Sequence, residues 1–316
     1  MRAKRIGSLM LCLVLAAALA ACGPQTPGTA DPGTSQSASD PAPAQGVVPG
    51  LSAENFPRVD GSTANLPLLA KVYSEVCGVP MEEAETKVAV SGGTGAVWRN
   101  MMYGGADLLL VYEAPENIKE EMAQDASLKL DITPLGRDGL VFLVNAANPV
   151  ENLTREQLID IYTGKITDWG QVGGTPGPIA AFQRNEESGS QTLFMKLLME
   201  DRTPMDPPTQ LRPAAMGALI DGVAQYDGSG GAIGYSVYYY AQLMYTNPDL
   251  KLLSVDGVQP TAETIGSGAY PLLNDFYVVI RSGEPEGSPA RLLRDWLLSG
   301  TAAAAMKAEQ YIPIQK

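Results

Sequence analysis

The sequence predicts an α/β fold, on three observations. Short apolar runs alternate with segments of helical period, and Gly- and Ser/Thr-rich turns separate them. The 45% hydrophobic and 18% charged residues are those of a globular chain. At 316 residues there is length for about two domains. The alternation predicts mostly parallel sheets with helices on both faces, in which ligands sit where strands end and helices begin.

The elements follow in order. Leu68, Leu69, Val72 and Val76 give Asn65 to Val76 a helical spacing. Lys87 to Val90 reads as a short strand, then comes the turn Ser91-Gly-Gly-Thr-Gly95 and a helix from Ala96 to about Tyr103. Asp107 to Tyr112 is a strongly apolar strand, and Gly139 to Asn145 is another. Thr154-Arg-Glu-Gln157 is a capping box that starts a helix running to Tyr162. Ile179 to Phe182 is a strand, followed by Arg184 to Gly189 and a helix through Met199. Gly231 to Tyr235 and Phe276 to Ile280 are strands, and Ala290 to Ser299 is a helix. Trp98, Trp169 and Trp296 read as packing residues, and Tyr238 to Tyr240 as lobe surface and packing.

Composition excludes several function classes. The chain has no His, which removes Ser-His-Asp and Cys-His triads and His-ligated zinc or haem. A net charge of −13 argues against general nucleic-acid binding. Three Cys do not make a disulfide scaffold. There is no Gly-x-Ser-x-Gly, no Gly-x-Gly-x-x-Gly and no Walker loop, since Gly164-Lys165 lacks the upstream Gly and the following Ser/Thr. The expectation is a binding protein with no metal and no cofactor, and not an enzyme.

Arg2, Lys4 and Arg5 precede an apolar stretch, Leu9 to Ala18, too short for a stable span, so residues 1–21 read as a signal peptide. Leu19-Ala20-Ala21-Cys22 resembles a bacterial lipobox, which makes Cys22 the lipidated residue; an ordinary cleavage site with an incidental Cys is the alternative. Residues 22–50 then form a tether rich in Pro, Ser, Thr and Gly. Cys77 is left as a small hydrophobe. The chain is expected outside the cytoplasm, held at the cell membrane by lipid.

Three turns share one chemistry. Asp60-Gly61-Ser62-Thr63, Ser91-Gly92-Gly93-Thr94-Gly95 and Arg184-Asn-Glu-Glu-Ser188-Gly189-Ser190 each bring a hydroxyl and small residues to a helix start. A helix start presents free N–H groups and about half a positive charge, which suits an oxyanion. Arg184 can add a charged, bidentate contact. Taken singly, each turn could equally be a plain N-cap.

The stretch from Asn152 to Gly174, with Ile161-Tyr-Thr-Gly-Lys-Ile-Thr-Asp-Trp169 inside it, resembles a signature of PstS-type phosphate-binding proteins, the substrate-binding subunits of phosphate ABC importers. Arg184-x-x-x-Ser188-Gly189-Ser190 is similar to that family's anion loop, with Ser for Thr at 190. Gly61-Ser62-Thr63, Ala232-Ile-Gly-Tyr235 and Tyr270-Pro-Leu272 also match family patterns, so the resemblance covers roughly residues 59–316. It implies a two-lobed periplasmic-binding-protein fold of type II, with two mixed or parallel sheets and a ligand cleft between lobes. Residues 51–144 with 242–316 would form one lobe and 145–241 the other, with crossings near 145–149 and 236–242. Ser62, Thr63 and the Ala64 backbone would donate to phosphate from the first turn, Thr94 or Ser91 from the second, and Arg184, Ser188, Gly189 N–H and Ser190 from the third. Tyr112-Glu113-Ala114-Pro115 is similar to the family's Ser-Asp-Ala-Pro, which makes Glu113 the acceptor of the hydrogen phosphate proton; the other reading is a solvated loop acid. The implied partners are inorganic phosphate, ABC permease subunits and, through Cys22, the membrane; the chain would act as a monomer.

The rival readings are a same-fold binder of sulfate, molybdate or a phosphorylated metabolite, a sensory or adhesion lipoprotein, and a surface phosphatase. An acid in the site with no other partner argues for phosphate, and its absence for another oxyanion.

Overall fold

Buried strands order this chain. The structure, a computed structural model, describes residues 47–226 and 231–314. The signal peptide, Cys22 and nearly all of the expected tether lie outside the described residues. The tether's last stretch does not behave as one: Val48 is buried in the core and the Val47 N–H donates to the Glu75 carbonyl. None of the described helices is long and apolar enough to cross a membrane.

Ten strands occur in the described residues: β1 (Val59–Gly61), β2 (Leu108–Val111), β3 (Leu130–Asn145), β4 (Asn152–Leu153), β5 (Ala180–Ala181), β6 (Ala232–Val237), β7 (Leu250–Leu252), β8 (Ser254–Val255), β9 (Leu273–Arg281) and β10 (Ile312–Pro313). The helices that matter for the site are α1 (Leu66–Cys77), α2 (Met81–Lys87), α3 (Thr94–Met102), α4 (Glu116–Gln124), α5 (Arg155–Tyr162) and α6 (Gly189–Phe194), which widens into a π-turn over Met195–Met199.

The main sheet runs β1-β2-β9-β3-β6-β5, with β10 and β7 also on β3. Its pivot is β3. Residues Leu130 to Gly139 of β3 pair with β9, while Leu140 to Val144 pair with β6 and Leu143 to Asn145 with β7. One strand therefore serves two halves of the sheet. The α/β class with a mixed sheet is as expected, but the parallel share is smaller. Only β1–β2, β5–β6 and β4–β8 are parallel; every pair that β3 or β9 makes is antiparallel. The change of pairing at Gly139/Leu140 also comes before the expected crossing near 145–149. Residues 250–255 pair with the end of β3 and with β4.

Packing explains the apolar runs. Leu108 and Leu110 of β2 face the main core, while Leu109 and Val111 join a second cluster with Val97, Trp98, Met101 and Ile118 of α3 and α4. A strand covered on both faces reads as a continuous apolar run because neither face can be polar. Trp98 and Trp169 are buried, as expected of packing residues. Tyr239 and Tyr240 are buried too, and Tyr239 stacks on Tyr311 with ring centroids 3.7 Å apart. Cys77 ends α1 half-buried against the core.

One local expectation fails and another holds. Residues 88–90 form no strand; they are an unpaired extended segment after α2, a helix whose acidic start (Glu82, Glu83) and Lys87 end complement its dipole. The capping box at Thr154 is present, with both Thr154 and Gln157 side chains bonded back.

Candidate functional site

Sequence alone leaves open whether the three turns are ordinary caps. Thr154, Thr261, Ser288 and Ser299, at helix starts elsewhere, each accept a backbone N–H in their own first turn. Ser62 before the 3-10 turn Thr63–Asn65, Gly93 before α3 and Ser188 before α6 make no side-chain cap. The Ser62 and Ser188 hydroxyls turn elsewhere, and Gly93 has no side chain to cap with. Ser62 Oγ lies 3.3 Å from Thr94 Oγ1 and accepts the Tyr112 N–H at 3.2 Å. Ser188 Oγ and Ser190 Oγ are 3.1 Å apart. An N-terminal turn without a side-chain cap keeps donors for another acceptor.

The three turns meet across the boundary between the sheet halves. The Gly95 N–H donates to the Glu187 carbonyl at 3.1 Å. A Cβ on Gly189 would stand 2.4 Å from Thr94 Oγ1, so only glycine permits this approach. Ser62, Thr94, Ser188, Gly189 and Ser190 are all buried, and Thr63 is half-buried. Ala64 is buried, and its carbonyl accepts from the Tyr311 hydroxyl at 2.6 Å.

Arg184 brings a buried cation to the start of the third turn. It is 6% exposed, and it has no carboxylate partner among the described residues. Its Nε donates to the Pro213 carbonyl at 3.1 Å and its Nη2 to the Ala214 carbonyl at 2.7 Å, while Nη1 is buried with no partner. Its backbone N–H is gripped by Gln191 Oε1 and Tyr235 Oη, each at 3.0 Å. Burial lowers its pKa, because a desolvated cation is disfavoured. A buried charge with an unmade hydrogen bond is costly, and an oxyanion is the group that would relieve it.

Two expected site residues stand apart. Ser91 is exposed, and its hydroxyl and N–H both donate to Asp60; Asn100 Nδ2 and the Gly61 N–H fill the rest of that carboxylate. Of the two candidates in the second turn, Thr94 is the one at the cluster. Glu113 is held by Lys119 at 2.8 Å on one oxygen and by Lys196 on the other. The two lysines outweigh the effect of burial, and its pKa lies below the ordinary value. A carboxylate closed by two ammonium groups is badly placed to receive a proton from a ligand, because both of its oxygens are already engaged and its charged form is favoured. Glu113→Gln is therefore expected to change the phosphate-to-sulfate preference by less than about threefold, since what is lost is two partly exposed ion pairs to lysine; competition calorimetry reads this.

Sequence reasoning missed the residues that support the cluster. Tyr112, at the end of β2, donates from its hydroxyl to Asp138 at 2.8 Å. Asp138 also accepts the N–H groups of Gly139 and Tyr239, so it ties both crossing strands together. Burial pushes its pKa up to about 6, against an ordinary 3.8, with Tyr112 and the backbone N–H groups opposing. A carboxyl raised in the folded state binds its proton more tightly there, so its contribution to stability is present below about pH 4 and lost as pH rises through about 6. Asp138→Asn should flatten that slope by up to about 2–3 kcal/mol, measured by urea unfolding from pH 4 to pH 7. No motif marks Asp138 in the sequence; only the fold brings it to the crossing.

Hydroxyls and uncapped helix starts gathered where two sheet halves meet, with a buried arginine on the third turn, are the features of an α/β ligand-binding protein. The chain belongs to the PBP superfamily: the family model described as a PBP superfamily domain matches residues 35–299. It is 26% identical over 311 residues to the phosphate-binding protein PstS of Bacillus subtilis (strain 168), covering 97% of this chain and 94% of that one. It is also similar in structure to an ABC-type phosphate transport receptor from Vibrio cholerae, with 26% identity, a TM-score of 0.58, and 80% of this chain and 98% of that one covered. A substrate-binding protein assigned to phosphate ABC transport in Clostridium perfringens, crystallised with bound phosphate, shares the fold at 23% identity and a TM-score of 0.64, over 83% of this chain and 100% of that one.

Proposed function

We propose that this chain captures inorganic phosphate outside the cytoplasm and hands it to an ABC permease. The observation that carries the reading is Arg184, a buried cation that among the described residues has no counter-charge and no partner for Nη1. Thr63, Thr94, Ser188, Ser190 and the N–H groups of Ala64 and Gly189 would complete the shell around a tetrahedral anion. The relatives named above as phosphate-binding or phosphate-transport proteins support the same ligand, and their class is transport binding proteins and not enzymes. We extend the reading to a lipid anchor on Cys22, a monomeric chain, and two lobes that divide where β3 changes partners.

A second reading is another tetrahedral oxyanion such as sulfate. It is favoured by one observation: among the described residues no carboxylate is hydrogen-bonded to Ser62, Thr94, Ser188, Ser190 or Arg184. A thermal-shift and calorimetry panel of phosphate, sulfate, molybdate and a phosphomonoester tests both. A ligand bound only by the folded state at about 100 times its Kd adds roughly 2.7 kcal/mol. Phosphate alone should raise the midpoint; a rise with sulfate and none with phosphate replaces the first reading by the second.

A further inference from the structure

We infer that Glu187 is a positioning residue: with Arg99 and Asn117 it forms a polar latch across the two sheet halves that holds the anion site shut and sets the rate of release. The inference rests on the phosphate reading and deepens it. Glu187 sits in the third turn, between Arg184 and Ser188, and belongs to the second half with β5 and α6. Its partners come from the first half. Arg99 of α3 donates to one carboxylate oxygen at 2.8 Å and Asn117 of α4 to the other at 3.0 Å.

The latch is anchored at both ends. Arg99 is itself fixed by Glu121 at 2.9 Å, and the Glu187 carbonyl takes the Gly95 N–H at the start of α3. Arg99 is the first cause of the lowered Glu187 pKa, so the carboxylate stays charged at neutral pH. Glu187 and Asn117 also line a groove of about 1110 Å³ that reaches Arg184, and Glu113 and Lys196 form a second cross-half ion pair on it. Contacts between opposite halves exist only while the halves are together. Breaking them therefore acts on the closed, ligand-holding arrangement and not on the hydroxyls that touch the ion.

Each pair is partly exposed, so the effect of one should be modest, about three- to tenfold on Kd. Glu187→Gln, Arg99→Gln and the double variant are to be compared with the wild-type chain by phosphate calorimetry, stopped-flow release and thermal midpoints without ligand. The expected result is release faster by that factor in each single variant, a double variant no weaker than the worse single one, and an unchanged ligand-free midpoint. Unchanged release in Glu187→Gln overturns the latch. So does a ligand-free midpoint that falls as far as the phosphate-bound one, which would make the residue purely structural. A wild-type chain that gives no heat with phosphate overturns the phosphate reading itself, a result separable from either.

Discussion

Arg184→Met is expected to weaken phosphate binding by roughly 100-fold or more, because losing one side of a buried charged contact costs about 2–5 kcal/mol. The variant keeps an unbranched side chain in the same channel beside the Pro213 and Ala214 carbonyls. It removes a desolvated cation that has no counter-charge among the described residues. The ligand-free fold should therefore hold its midpoint or gain slightly, since a buried unpaired charge is a burden until its partner arrives. The two readouts move in opposite senses, which an ordinary structural arginine would not do. Calorimetry that finds phosphate affinity intact in Arg184→Met ends the case for this site.

Gly189→Ala should be nearly as damaging, for a different reason. The new methyl would lie 2.4 Å from Thr94 Oγ1 and 3.4 Å from Thr94 Cβ. Thr94 belongs to the first half and Gly189 to the second, so relief comes from turning the Thr94 hydroxyl out of its place or from parting the halves. Overpacking of this kind costs about 1–3 kcal/mol, which corresponds to a loss of affinity on the order of 10–100-fold. Gly189 has an ordinary helical start and no positive φ, so alanine there suits the helix and should leave the ligand-free chain as stable as before or by up to about 1 kcal/mol more so. Tight binding retained alongside normal stability would show that the two turns need not touch for the ion to be held.

Much of the fold was legible because burial leaves its mark on composition. The β2 run Leu108–Val111 is apolar throughout since both its faces are covered, and the capping box at Thr154 is local chemistry complete within four residues. What misled was pairing direction. Alternating strands and helices suggest parallel neighbours, yet β9 (Leu273–Arg281) arrives from far along the chain and inserts antiparallel between β2 and β3. Such an insertion has no local signal. The segment at 88–90 shows the converse error, in which valines give a strand pattern but no neighbouring strand offers hydrogen bonds.

The site divides along the same line. Ser62, Thr94, Arg184, Ser188 and Ser190 could be named from turn chemistry and motif, because a helix start with a hydroxyl is a property of a few consecutive residues. Whether those hydroxyls cap their own helices or are left for a ligand is settled by where the chain folds back, and Ser62 Oγ facing Thr94 Oγ1 is a contact between residues 32 positions apart. Glu113 shows the limit most plainly. Its place in a motif pointed to proton acceptance, while its partners, Lys119 six residues on and Lys196 in the other half, leave both of its oxygens engaged. By itself the sequence determined the helix starts, the hydroxyls and small residues of the three turns, and the arginine that precedes the third. Tertiary structure alone decided the partners of each charged group, because a side chain's electrostatic environment comes from residues that are distant in the chain and adjacent only after folding.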